Sequence, residues 1–327
     1  MKDKKVKLLL VTPYFPPHSG GLENYAFNIA QGLMQTYDYQ VVVVTSNPNG
    51  KKQVIEDYCG IKVYRLPIMV RISNTPINPL WYLALKSIIR AEKPDIINSH
   101  QPVPFIGDLT AFLAGNIPFV LTYHAGTMQK NKFLLDIIIF LYEMLILPHT
   151  ARKATRIICA SNFVRNTILK RYAFKSTIIH PGVDISLFKP NPVITKDQNL
   201  TLFICHYKSM HRIKGLYYLL EAIKELPEIK LCVVGEKGDF VDKRIISVGL
   251  KRGKDLVEEM QKASVVILPS ITIEGFPMVL IEAMACQTPV IGTNVGGIPE
   301  VIEDGIDGFI VSAKDSNALA MAISKIV

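Results

Sequence analysis

A chain of 327 residues, 49% of them hydrophobic, is long enough to bury two ordinary cores. It contains no unbroken apolar run of about 18 to 20 residues and no signal-peptide pattern after its basic first seven, so neither a spanning helix nor a leader is expected. The formal charge of +9 is uneven: residues 1–190 carry 22 Lys and Arg against 11 Asp and Glu, and the remainder 15 against 17.

The basic half suits an anionic membrane surface or a phosphorylated acceptor. Nucleic acid is not expected, because no binding module and no aromatic–basic interleaving is present. Cys59, Cys159, Cys205, Cys232 and Cys286 are scattered, without metal or redox spacing. They read as reduced, buried thiols of a cytosolic protein.

Strand-like runs alternate with helical patterns from end to end, which predicts parallel sheets of βαβ units. The first half shows strands at residues 7–11, 40–45, 62–66, 95–98, 119–122, 156–160 and 177–180. Helices are expected near 23–36, 80–92, 105–114, 133–147 and 162–172. Residues 181–199, with Pro181, Pro190 and Pro192, form the natural boundary region, giving domains of 1–188 and 189–327. Strands resume at 200–205, 229–234, 265–268, 289–292 and 309–311. Between 235 and 265 only residues 243–248 offer a short stretch of no clear type. Ligands of such sheets bind beyond the carboxyl ends of the strands, so the cleft between the domains is the default site.

Several stretches carry chemistry. In "PYFPPHSGGLENYAFNIAQGL", Gly20 and Gly21 allow a ligand close to the backbone, and their N–H groups suit a diphosphate at a helix start. The same residues also read as a tight turn capped by Glu23. No G-x-G-x-x-G occurs, which argues against a dinucleotide site. His100 and His124 follow strands at a sheet's carboxyl edge, where they serve either a site or packing.

Residues 133–147, "FLLDIIIFLYEMLIL", are apolar except for Asp136, Tyr142 and Glu143. Lys130, Lys132, Arg152, Lys153 and Arg156 flank them. They read either as a buried helix or as a monotopic helix resting on an anionic bilayer. In "FICHYKSMHRIKGLYYLLEAIKEL", Arg212 and Lys214 are either phosphate-binding cations or solvated surface charges.

Residues 269–300 are the densest stretch. A buried strand leads to a loop with Glu274, Gly275 and Phe276, then Pro277 and a helix from Met278, with Glu282 inside it. Two carboxylates thus flank a helix N-terminus that suits an anion, although paired glutamates also serve as plain caps. No Asp-x-Asp is present to seat a chelated metal ion.

The spacing Glu274-x7-Glu282 in "EGFPMVLIEAMACQTPVI", followed by "GGIPEVI" and "DGIDGFIV", resembles the donor-site signature of glycosyltransferase family 4. The Gly-Gly before Glu23, "IIHPGVDISLFKP" and Lys214-Gly215 extend the resemblance over most of the chain. It implies an α/β architecture of the GT-B type, two doubly wound Rossmann-like domains facing each other across a cleft. It further implies transfer of a sugar, with retention, from a nucleoside diphosphate sugar to a glycan or lipid-linked acceptor, without cofactor or metal.

By that resemblance His124, Lys214 and Glu274 are the catalytic candidates. The donor-binding set is Gly20, Gly21, Arg212, Lys214, Glu274, Gly275, Phe276, Met278 and Glu282, with Glu282 on the ribose. The family's Gly-Arg after the first strand of the second domain is Cys205-His206 here, so Arg212, or else His206, is expected to supply the missing cation. The family's extra helix between 235 and 265 and its last helical segment are expected to be absent. A peripheral enzyme at the inner face of the membrane fits the basic half. A nucleotide-sugar epimerase or hydrolase, and a catalytically silent sugar-nucleotide or membrane-binding protein, are the rivals.

Overall fold

The computed structural model describes residues 5–17, 20–48, 50–73, 75–129, 133–206, 210–235 and 237–327. They form two compact units, Met1–His180 and Pro181–Val327. The division falls eight residues before the position expected. Val183, Leu187 and Phe188 pack with Leu202, Val234 and Leu268 of the second unit, and this burial draws residues 181–188 into it.

In the first unit the chain runs β1 (Lys7–Val11), α1 (Gly21–Tyr37), β2 (Gln40–Asn47), β3 (Val54–Tyr58), β4 (Ile61–Pro67), then the small hairpin β5 (Val70–Ile72) and β6 (Thr75–Ile77). It continues through α2 (Trp81–Glu92), β7 (Ile96–Gln101), α3 (Ile106–Leu113), β8 (Phe119–Tyr123), α4 (Phe133–Leu145), α5 (Leu147–Lys153), β9 (Arg156–Cys159) and β10 (Ser176–Ile178). Eight strands pair in the order β10-β9-β8-β7-β1-β2-β4-β3. All pairs are parallel except β3 with β4. The chain winds outward both ways from β1, so the switch point lies between β1 and β7. Val41 to Val44 and Leu8 to Val11 are buried on both faces, the continuous apolar pattern of an internal parallel strand.

The second unit carries β11 (Asp197–Cys205), α6 (Leu216–Lys224), β12 (Lys230–Gly235), β13 (Ile245–Gly249), α7 (Gly253–Lys262), β14 (Ala263–Leu268), α8 (Met278–Ala285), β15 (Val290–Thr293), β16 (Gly308–Val311) and α9 (Ser316–Ser324). Its wholly parallel sheet has the order β13-β12-β11-β14-β15-β16, with the switch point between β11 and β14. Two corrections arise here. Residues 245–249 form a strand, and α7 supplies the helix expected to be missing, held by Leu256, Val257 and Met260 in the core. A third concerns residues 162–172, where the expected α-helix is a π turn, Val164–Ile168, followed by a 3₁₀ turn, Lys170–Lys175.

The expected helix at 133–147 is split at Ile146 into α4 and α5. Its buried reading fails over α4, where Tyr142 alone is buried. Together residues 133–153 are long and apolar enough to cross a membrane by length and composition. Lys130 and Lys132 lie outside the described residues.

Candidate functional site

The loops that follow β11 and β14 leave the second sheet on either side of its switch point. Gly215 holds the first of them in place. It caps α6 at φ 77°, and a Cβ there would stand 1.8 Å from the Pro269 carbonyl oxygen at the end of β14. Only glycine permits that approach. The Ile271 N–H then donates to the Ile213 carbonyl at 3.0 Å and ties the loops together.

This contact brings Lys214 to Glu274 across sixty residues of sequence: Nζ meets Oε1 at 2.7 Å, with both side chains mostly shielded from water. The Ser270 hydroxyl donates to the same carboxylate oxygen at 2.5 Å. Behind the loop, the Gly297 N–H donates to the Glu274 carbonyl. Gly296 lies so close that a Cβ would meet that carbonyl oxygen at 2.2 Å. Glu274 is therefore fixed from three sides.

Gly275 and Phe276 lead to Pro277, the N-cap of helix α8, and the Met278 N–H donates to the Phe276 carbonyl at 3.1 Å. Glu282 is half-buried in the second turn, and burial pushes its carboxyl up to about 7. Arg212 is exposed and makes no side-chain hydrogen bond or ion pair among the described residues. Cys205 is buried in the core with Phe203 and Leu216, while His206 is half-buried at the strand's end.

In the first unit Gly20 is the extended N-cap of α1, and Gly21 its first residue. The Glu23 carboxylate, buried in the first turn, lies 2.4 Å from where a Gly20 Cβ would stand. His100, in β7, and His124, just after β8, meet ring to ring, with Nδ1 of His100 3.3 Å from Nε2 of His124. Tyr25 of α1 packs edge-on against His124, ring centroids 4.6 Å apart.

A hydrogen-bonded chain runs behind the imidazoles. The Asn98 amide donates to the Val120 carbonyl at 3.2 Å and the Thr122 hydroxyl at 2.8 Å, so its oxygen faces His100 Nε2 at 2.9 Å. Burial holds both histidines on the neutral side, His124 down to about 4. Asn98, Ser270 and Tyr25 were not anticipated. Asn98 had a signal, since residues 98 and 100 of one strand share a face.

Among the described residues no group of three or more His, Cys, Asp or Glu is placed to hold a metal ion. The sequence matches glycosyltransferase family 4 over residues 19–187 and group 1 of the glycosyl transferases over residues 198–327. It is 26% identical to an uncharacterized glycosyltransferase of Methanocaldococcus jannaschii, covering 98% of this chain and 88% of that one. It is 23% identical to the phosphatidyl-myo-inositol mannosyltransferase of Mycolicibacterium smegmatis, covering 97% and 84%. Among solved structures, the Anabaena protein HepE in complex with UDP superposes with a TM-score of 0.73 at 18% identity, covering 98% of this chain and 89% of that one. Matched in both halves, and with two parallel α/β sheets, the chain belongs to glycosyltransferase family 4 and has the GT-B fold.

Proposed function

We infer that this glycosyltransferase takes its sugar from a nucleoside diphosphate donor and transfers it with retention of anomeric configuration. The observation that carries the reading is the Lys214–Glu274 pair, held beside the start of α8 at the sheet's switch point. There the Lys214 ammonium and the helix N-terminus answer the negative charge that grows on a departing diphosphate. Arg212, exposed two residues before Lys214, adds a second cation, so the reading calls for no cofactor or metal ion. Glu282 accepts from the ribose hydroxyls, and Glu274 lies beside the sugar.

The bond from C1 to the phosphate oxygen breaks with its electron pair on the diphosphate. An acceptor hydroxyl then bonds to C1 from the same face and gives its proton to the leaving phosphate. The bound UDP of the Anabaena structure supports a nucleotide donor. The Mycolicibacterium relative's name, which specifies a phosphatidylinositol, supports an acceptor carried on a lipid. We place the enzyme at a membrane surface on that basis.

Calorimetric titration with UDP and GDP, followed by a screen of their sugars with lipid extract, tests this. One of the two nucleotides should bind, and its sugar should turn over in the presence of a chelator. Failure of both nucleotides to bind to folded protein would sink the donor reading. Binding without turnover would favour the silent sugar-nucleotide-binding protein.

A further inference from the structure

Helix α4 has two faces of opposite character. Leu135, Ile139 and Tyr142 point inward, and the Tyr142 hydroxyl lies 3.0 Å from Gln101 Oε1 and 3.2 Å from Asp108 Oδ1. The Thr150 hydroxyl of α5 donates to the same Asp108 oxygen at 2.6 Å. The other face spans about 160° of arc at 100° per residue. It presents Phe133, Leu134, Ile137, Ile138, Phe140, Leu141, Met144 and Leu145, all exposed, without one polar side chain. Phe133 is 79% exposed and Leu145 63%. A water-facing helix surface normally carries charge there, and an apolar patch of this size marks a contact surface.

We propose that this outer face of α4 is the element that docks the enzyme on an anionic lipid surface. Charge selects lipid over a second copy or another protein. Arg152, in α5, and Arg156, at the start of β9, are exposed in the stretch that follows α4, and Lys175 adds a third cation, its ammonium on the Arg152 and Ala154 carbonyls. Phe174, 85% exposed, adjoins it. In sequence, Lys130 and Lys132 precede α4. Asp136 and Glu143 sit at the flank of the helix, outside the apolar arc.

The helix lies on the bilayer and does not cross it. Its thirteen residues reach only about 20 Å, short of the ~30 Å hydrocarbon core. The next segment cannot extend it, because Leu147, Thr150 and Ala151 of α5 are buried in the first unit. The proposal deepens the reading of a lipid-linked acceptor, yet it is testable without any turnover.

The full-length protein is floated with vesicles of pure phosphatidylcholine or with added phosphatidylglycerol, at low and high salt. Recovery should be higher with the anionic lipid and fall with salt. Ile138→Ser with Leu141→Ser should abolish flotation while leaving thermal unfolding unchanged. Arg152→Ser with Arg156→Ser should weaken it about fivefold per charge removed. Equal recovery on neutral and anionic vesicles would overturn the proposal. So would a dimer in sedimentation that the Ser pair dissolves, in protein that never floats.

A second inference rests on the histidine pair. The Asn98 oxygen can only accept, so His100 Nε2 carries a hydrogen and its Nδ1 is bare. Nδ1 must then accept from His124 Nε2–H. We propose that Asn98 and His100 are positioning residues that lock His124 in the Nε2–H tautomer, so that its Nδ1 is an acceptor and not a donor. In that tautomer His124 Nδ1 presents a lone pair and no proton.

Nitrogen-15 spectra of the imidazoles in the unliganded enzyme read the tautomers directly. Both rings should be neutral Nε2–H forms from pH 6 to 8. His100→Gln, which can donate to Asn98 and accept from His124, should keep kcat. His100→Leu should lower kcat about tenfold or more with the donor KM unchanged. A wild-type His124 protonated on Nδ1, or full activity in His100→Leu, would overturn the assignment.

Discussion

The proposed ribose contact asks the Glu282 carboxylate to bind hydroxyls, while burial pushes its carboxyl up to about 7. Ribose hydroxyls favour the ionised form, so nucleotide binding should release a proton below neutral pH. Affinity should therefore rise between pH 5.5 and 7.5 and level off above. Glu282→Gln should match the wild type at the acid end, bind worse at pH 8, and lose the pH dependence; calorimetry in two buffers decides. The stability of the free enzyme has the opposite slope. The folded value lies above the ordinary 4.5, so this group's contribution is lost as pH rises from 4.5 through 7. The neutral amide should accordingly stabilise the free protein above pH 7. Lys214 is tested separately. Lys214→Ala should cost about a hundredfold in kcat, on the scale of one lost oxyanion donor. Its partly shielded pair should change folding stability by no more than about 1 kcal/mol.

Most elements were legible because their residues repeat with one period. The Val41–Val44 run and Met278–Ala285 needed no tertiary information to be read as a strand and a helix. The edge strand β3 was not legible: Val54 and Ile55 are exposed and Glu56 and Asp57 interrupt them, so neither alternation nor burial marks it. Helix α7 was readable in principle, since Leu256, Val257 and Met260 share a face, but a polar run opening on Gly253 hid it. Of the site, the glutamates and Lys214 could be named from sequence, whereas their direct pairing could not. It depends on Gly215 lying against Pro269, a contact between loops with no local signal. Gly215→Ala should cost about 1–3 kcal/mol in denaturant unfolding through its φ of 77° and that clash. It should also weaken nucleotide binding by moving Lys214; an unchanged dissociation constant would separate the loop contact from the site.

Across the whole molecule, each hydrophobic core draws on one unit only: two clusters fall within residues 1–180 and two within 181–327. Calorimetric unfolding should show two transitions. A nucleoside diphosphate at a hundred times its dissociation constant should raise the one belonging to the second unit, by about 2.7 kcal/mol. Equal shifts in both transitions would mean that the units unfold together, or that the first also binds the nucleotide. The charge imbalance follows nearly the same division, with +11 in residues 1–190 and −2 in the remainder.

The bare outer face of α4 changes what concentration means for this enzyme. With its eight apolar side chains docked in lipid as proposed, the catalyst and a lipid-carried acceptor would meet in a plane, and encounter would depend on acceptor per unit area. Adding inert anionic lipid at constant acceptor should slow turnover by surface dilution, while diluting the whole suspension with buffer should barely matter.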